Sequence, residues 1–443
     1  MITIRRPLVV RIESTMKCNH KCIYCYNPLD RYISLNKEEA KENIKRLIHI
    51  FNSWGAFDIT FTGGEPFMEK DILYEGIAAV KETGMDFGIN TNASLIKDAD
   101  AKHLKENGIA SIFASFPSLK KDIFESITCV SGSYENALKG FESLANEGLR
   151  ITANMVVVKN PVSNVNDVYA TGKMLIKNFG IRRFCAAPIS PNYKDHEDYI
   201  ISNKDIIMVL EQLISLHEDF GVDIRNSRPL PICFLDGIDS KFAQYDFFRG
   251  CTIGVVNGMT VDLEGNLKPC PVMPFSIANA FTDTLNEVMQ KMATYDGSDM
   301  GKLREITPQC CSGCSVLDIC KGGCKAEALA LKGDIKARSR FKKSIQRNEE
   351  LMKKVMVNKN LVTASRFKIR RSIKYRQDSD DIYVIRAELF AVLNKQEFEF
   401  FQYLYALDEF SPRSIIDHYK LNESMFNLFL NKLDKARALI DTC

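Results

Sequence analysis

Apolar and polar residues alternate in two rhythms along the first half of the chain. PLVVRIE (7–13) reads as a strand, and LNKEEAKENIKRLIHIFNSW, with its spaced apolar positions, as an amphipathic helix. FDITFTGGEPF is a strand running into a glycine turn, DILYEGIAAVKETG a helix and MDFGINTNAS a strand. KDADAKHLKENG, SYENALKGFESLANEG and VNDVYATGKMLIKNFG continue as helices, alternating with the strands IASIFASF, RITANMVVVKN and IRRFCAAPIS. About six strand–helix steps over 1–190 predict an α/β fold, a parallel sheet or partial (β/α)6 barrel, with its chemistry at the strand C-terminal ends. The cysteine loop, GGEP, NTN and ASFPS all fall at such ends.

The pattern then changes. We expect a barrel over 1–200, a helical and irregular connector over 201–248, a cysteine-rich domain over 249–364 and a small α+β unit over 365–443. The cysteine-rich part contains a hairpin, VNGMTVDLEGNLKPCP, turning at Glu264-Gly265-Asn266, and its end, 326–364, reads as a basic helical stretch. The last unit reads as two strands, FKIRRSIKYRQ and DIYVIRAE, followed by helices, with FEFFQYLY spaced as helix core.

Of 443 residues, 45% are hydrophobic and 26% charged, with a net charge of +3, which suits a soluble globular chain. Basic residues are dispersed and balanced by acids, so no nucleic-acid partner is expected. No apolar run nears the roughly 20 residues of a membrane span. MITIRRPLVVRIEST lacks a secretory apolar region and cleavage site, so the expected location is cytoplasmic, with no membrane partner.

There are fourteen cysteines. Cys129, Cys185, Cys233 and Cys443 are scattered and read as small buried hydrophobes; the other ten fall in two groups, as metal or cluster ligands do in a reducing compartment. The first group is CNHKCIYC, with Cys18, Cys22 and Cys25 on one loop. Three thiolates leave a four-coordinate centre with one position open. The competing reading is a zinc site completed by a distant histidine, one of only six in the chain; His20 itself reads equally as a ligand or as solvent-facing.

CNHKCIYC, with Tyr24 as its aromatic position, followed one βα unit later by Gly63-Gly64-Glu65-Pro66, resembles the radical S-adenosylmethionine (SAM) superfamily. The resemblance implies that Cys18, Cys22 and Cys25 ligate three irons of a [4Fe–4S] cluster, and that the fourth iron is chelated by SAM. The reduced cluster then cleaves SAM to a 5′-deoxyadenosyl radical that abstracts hydrogen from the substrate. It also implies that GGEP, through backbone groups and its carboxylate, binds the methionine ammonium, and that Asn90, Ser115 and Asn154 contact the cofactor. Relatives carry an aspartate after the fourth strand, where this chain has Ser115-Phe116-Pro117-Ser118.

The second group comprises Cys251, Cys270, Cys310, Cys311, Cys314, Cys320 and Cys324; its spacing C-x2-C-x5-C-x3-C resembles the SPASM-type auxiliary-cluster domain, against a zinc knob as the alternative. The resemblance implies one or two auxiliary [4Fe–4S] clusters, one on Cys251, Cys270 and Cys324, the other on Cys311, Cys314 and Cys320. Cys310, a non-cysteine oxygen or nitrogen ligand, or an open iron completes the second. The C-terminal unit resembles the winged-helix peptide-recognition domain of ribosomal-peptide maturation systems, which adds a leader peptide as a strand, against a packing or dimerisation appendage as the alternative. The expected activity is hydrogen abstraction from a peptide, forming a thioether or other side-chain crosslink in a ribosomally made precursor, with flavodoxin or ferredoxin as electron donor. The alternatives are a formylglycine-forming sulfatase maturase, a small-molecule (tetrapyrrole-type) enzyme, or a non-catalytic electron-transfer protein.

Overall fold

The computed structural model describes residues 6–27, 35–159, 161–190, 194–235, 240–245, 247–248, 251, 259–294, 308, 311–314, 317–320, 322–333, 361–363, 366–378, 381–386, 389–436 and 438–442. The first half runs β1 (Val9–Thr15), α1 (Lys37–Ser53), β2 (Asp58–Gly63), α2 (Lys70–Thr83), β3 (Asp86–Thr91), α3 (Asp98–Glu106) and β4 (Ser111–Ser115). It continues with α4 (Lys121–Thr128), α5 (Ser133–Asn146), β5 (Ile151–Val157), α6 (Val168–Phe179), β6 (Arg183–Pro188), α7 (Asn203–Phe220) and β7 (Asp223–Arg225). Local chemistry starts the helices. Asn36 caps α1, accepting from the Glu39 amide while Glu39 returns to the Asn36 amide, and the helix buries Ala40, Ile44, Leu47, Ile48 and Phe51 as one stripe.

β1 to β7 pair in parallel as neighbours in sequence order. One face is an apolar row, Ile12↔Phe61, Phe61↔Ile89, Ile89↔Ile112 and Ile112↔Ile151, all fully or almost fully buried. The opposite face is polar, with Glu13↔Thr62 and, further round, Asn90↔Phe113, Phe113↔Thr152, Thr152↔Arg183 and Arg183↔Asp223 in register. Parallel sheets covered on both faces read as unbroken apolar runs. This sheet alternates because helices cover one face while the other lines the concave interior of an α/β partial barrel.

The sheet is larger than six steps. α7 and β7 fall within the stretch expected as a connector, where a three-residue strand leaves almost no sequence signal. On the other flank β8 (Thr260–Asp262) lies parallel to β1 and turns at Gly265 (φ +84°) into β9 (Asn266–Lys268), followed by β10 (Ala278–Asn279). The expected hairpin is therefore part of the barrel sheet. After it come α8 (Leu285–Thr294), the short α9 (Leu317–Cys320) and α10 (Lys325–Lys332). The rest of the basic stretch expected over 326–364 lies mostly outside the described residues, as do Cys310 and Cys443.

Among the described residues the C-terminal unit holds five strands where the sequence suggests two. β11 (Phe367–Ile369) pairs with β15 (Leu439–Asp441), and β12 (Lys374–Asp378), β13 (Asp381–Arg386) and β14 (Leu389–Leu393) form an antiparallel meander. α11 (Lys395–Ala406), α12 (Pro412–Tyr419) and α13 (Glu423–Lys435) cover it around a separate core of Val384, Leu393, Phe401, Leu404, Leu430 and Leu433. The unit docks beneath the barrel, at the N-terminal ends of its strands. Arg376 donates to the carbonyls of Arg6 (3.2 Å), Pro7 (3.0 Å) and Gly55, and Lys374 meets Asp86 at 2.9 Å. Among the described residues no helix is long and apolar enough to cross a membrane.

Candidate functional site

The first cysteine loop leaves the C-terminal end of β1 and lies against the end of α4. The Lys21 and Ile23 amides donate to the last carbonyls of that helix, Thr128 (2.9 Å) and Ile127 (3.0 Å), groups that a helix end leaves unpaired. A turn from the Cys22 carbonyl to the Cys25 amide (2.9 Å) gathers the thiols. Burial pushes all three up; Cys18 reaches about 11, with Glu65 and Cys25 adding to the rise, and Cys18 and Cys25 both raise Cys22. Cys18 is exposed at the surface and Cys22 and Cys25 are half-buried, and three thiols that repel one another's ionised forms this closely need a cationic centre to hold them as thiolates. Among the described residues no three His, Cys, Asp or Glu side chains converge as they would on one bare ion.

His20 is not solvent-facing. It is buried, and its pKa falls to about 4 because burial disfavours the charged ring. Tyr24 hydrogen-bonds with Cys22, and its ring packs on Ile127, Val158 and Ile189. Of the four scattered cysteines, Cys185 is buried and Cys233 half-buried, but Cys129 is exposed: it occupies the left-handed position (φ +55°) that ends α4, which turns its side chain outward.

Gly63 and Gly64 explain themselves by contact. A Cβ on Gly63 would stand 2.1 Å from the Thr15 carbonyl oxygen, and one on Gly64 2.1 Å from that of Lys17. The cysteine loop crosses directly over the glycine pair. The Gly64 and Glu65 amides donate to Thr15 (2.7 Å) and Lys17 (2.8 Å) carbonyls, and Asn27 Nδ2 donates to the Gly63 carbonyl (2.6 Å). Pro66 opens a 3-10 turn, Pro66–Glu69. The Glu65 carboxylate, expected to face an ammonium, is instead 1% exposed. It accepts from Thr91 Oγ1 (2.8 Å), the Asn92 amide (2.7 Å) and the Phe67 amide (3.3 Å), bracing β2 against β3. Burial raises its pKa to about 7 against those three bonds.

Asn92, more than Asn90, engages the loop. Asn92 Nδ2 donates to Asn19 Oδ1 (2.9 Å), Asn19 Nδ2 to Ser94 Oγ (2.8 Å) and Ser94 Oγ back to Asn92 Oδ1 (2.6 Å), a closed ring beside the Cys18 sulfur. Asn90 lies on the polar interior face, in register with Phe113. Ser115, the last residue of β4, is in register with Asn154 in the middle of β5, and Asn154 Oδ1 accepts from Ser227 in the loop after β7 (3.1 Å).

The second group is assembled from three separate segments. Cys251, Cys270 and Cys324 gather around Met273 and Ala326, and Cys251 and Cys324 help burial push Cys270 up to about 12. Cys314 raises Cys320, whose sulfur accepts from the Ile232 amide at 3.3 Å, and the Cys314 amide donates to the Cys311 carbonyl. Two buried ion pairs tie this region to the barrel. Lys268 meets Glu13 of β1 at 2.5 Å, and Arg228, after β7, meets Glu327 of α10. Sequence reasoning missed Asn19, Thr91, Ser227 and both ion pairs, since each depends on a partner distant in the chain; Asn92 shows in the sequence as an end of the third strand, but not its link to Asn19.

The Radical SAM superfamily description matches residues 12–168. A probable GTP 3′,8-cyclase of Thermococcus kodakarensis is 34% identical over 155 residues, 35% of this chain and 49% of its own; the chain thus spans about half the length of that relative. A GTP 3′,8-cyclase of Clostridium botulinum is 31% identical over 286 residues, 60% of this chain and 82% of its own. Among solved structures, Streptococcus suis SuiB bound to precursor peptide SuiA shares the fold, with TM-score 0.60, 18% identity and 76% of each chain covered. The [4Fe–4S] cluster and SAM are the cofactors that this family implies. A three-cysteine loop clamped onto a glycine pair at the open end of a partial barrel, together with these matches, places the chain in the radical SAM superfamily.

Proposed function

We propose that the chain cleaves SAM reductively at the loop of Cys18, Cys22 and Cys25 and abstracts hydrogen from a peptide, forming a thioether or other side-chain crosslink in a ribosomally made precursor. The observation that carries the SAM site is the docking of the cysteine loop onto Gly63 and Gly64, which leaves thiols and strand-end backbone side by side. When bound, the cluster supplies the electron and SAM supplies the 5′-deoxyadenosyl radical.

The chain's own residues hold and shield. Cys18, Cys22 and Cys25 are the ligands. Tyr24 covers Cys22, and Glu65 fixes the spacing between the GGEP turn and the third strand. The backbone of Gly63, Gly64 and Pro66, with Asn90, Ser115 and Asn154, offers polar contacts to SAM, and the polar interior face of the sheet receives the substrate away from bulk water.

Residues 249–364 are assigned as the auxiliary domain, with Cys251, Cys270 and Cys324 on one cluster and Cys311, Cys314 and Cys320 on the other, Cys310 being one way to complete the second. Residues 365–443 are assigned to leader-peptide binding. This reading is supported by β14, the outer strand of the meander, and by Met425 and Leu428, exposed on α13. Flavodoxin or ferredoxin is the proposed electron donor, in the cytoplasm. The SuiB structure, bound to a precursor peptide, supports the peptide reading. The GTP 3′,8-cyclase relatives favour a second one, radical chemistry on a small molecule.

The test is the reconstituted, reduced full chain with SAM and, as candidate substrates, the short peptides encoded by neighbouring reading frames. We expect 5′-deoxyadenosine and a peptide lighter by two hydrogens. 5′-Deoxyadenosine with GTP or a tetrapyrrole, but not with the peptide, supports the second reading. No 5′-deoxyadenosine from fully loaded protein leaves only an electron relay.

A further inference from the structure

Lys325 is placed where a lysine should not be. It follows Cys324 at the first position of α10, where the helix dipole disfavours a cation. It is 3% exposed, and its Nζ has no hydrogen-bond partner among the described residues. Buried ammonium groups are normally paired, because isolated burial of a charge is costly. Gly322, at φ +77°, makes room for it: a Cβ there would stand 3.5 Å from Nζ and 2.7 Å from Pro308. Burial disfavours its charge and lowers its pKa; four thiols act against that fall, Cys251 and Cys324 from one set and Cys311 and Cys320 from the other. The neighbouring Glu327 is already committed to Arg228.

We propose that the Lys325 ammonium is a positioning cation shared by the two auxiliary cysteine sets, raising the reduction potentials of the clusters they hold. The inference rests on the auxiliary-cluster assignment above. An ammonium beside a cluster stabilises the extra negative charge of its reduced state, directly and through N–H to sulfur hydrogen bonds. This lysine needs no carboxylate partner once the sulfurs carry charge. Lys325 binds no iron itself in this account; it acts through the ligated cysteines.

The test uses the full chain carrying Cys18→Ala, Cys22→Ala and Cys25→Ala, reconstituted with iron and sulfide, so that the second group alone is read. Midpoint potentials are followed by EPR during reductive titration. Lys325→Met keeps length and apolar bulk but removes the charge. We expect iron content unchanged and both midpoints more negative by a factor of ten or more in the one-electron equilibrium, about 59 mV, with Lys325→Arg restoring most of the shift. Unchanged midpoints at full iron content overturn the proposal. Loss of one cluster's iron in both the Met and the Arg variants also overturns it, since Lys325 is then a ligand or a packing element. A parent triple variant that holds no cluster at all fails differently: it removes the auxiliary-cluster assignment itself, before Lys325 is touched.

Discussion

The two cysteine groups solve the same problem by opposite means. The first puts three thiols on one loop and fixes them with backbone: two loop amides donate to the end of α4, two carbonyls leading into the loop accept from the glycine turn, and Asn19, Asn92 and Ser94 form a ring beside it. Its surroundings lean negative, since Glu65 and Cys25 both raise Cys18. The second draws thiols from segments 73 residues apart, between Cys251 and Cys324, and fixes them with charge: Lys268 with Glu13, Arg228 with Glu327, and Lys325 between the sets. A local centre can be held by hydrogen bonds within a turn. A distributed one needs interactions that reach between elements, and buried ion pairs are strongly directional once desolvated.

The contrast is broken most decisively by removing one group. With Cys18, Cys22 and Cys25 all changed to alanine, 5′-deoxyadenosine formation should vanish while Mössbauer spectra keep a [4Fe–4S] signal from the second group. Silent spectra would sink the division into two independent centres.

Next in size is the charge tether. Arg228→Met leaves Glu327 buried and unpaired and should cost about 3–5 kcal/mol in denaturant unfolding. Adding Glu327→Leu should recover most of that loss, which a backbone-held site would not allow. The converse experiment on the first group is Gly64→Ala. Its Cβ meets the Lys17 and Met16 carbonyls at 2.1 and 2.7 Å, so we expect a loss of about 3 kcal/mol and weaker SAM binding by calorimetry.

The smallest effect is a pH slope. The folded-state pKa of Glu65, about 7, stands above its ordinary 4.5. Its contribution is therefore fully present below about pH 4.5 and lost as pH rises through 7, by about 3 kcal/mol at most. Glu65→Gln should flatten that part of the stability curve. An unaltered slope would mean that the carboxyl is not the titrating brace.

Much of this was legible in sequence for a physical reason. Ligand spacing within CNHKCIYC and the glycine pair of GGEP are local, and strand–helix alternation reports the sheet up to β6. β7 was invisible because three residues carry no periodicity, and the burial of Glu65 was not legible because it depends on Thr91 and Asn92 a strand away. Lys325 left one trace, a lysine opening a helix directly after a cysteine, but its meaning needs Cys251 and Cys311 in view.

The docking of the C-terminal meander under the barrel has a metric consequence. Arg376 and Lys374 anchor it to the entry ends of β1, β2 and β3, whereas the cysteine loop lies at the exit end of β1. At about 3.3 Å per residue, the strands between them are roughly 20 Å long. A leader peptide held by this unit, as proposed above, would reach the cysteine loop only after six or more extended residues, and the barrel's height would then act as a ruler that excludes every side chain too close to the grip.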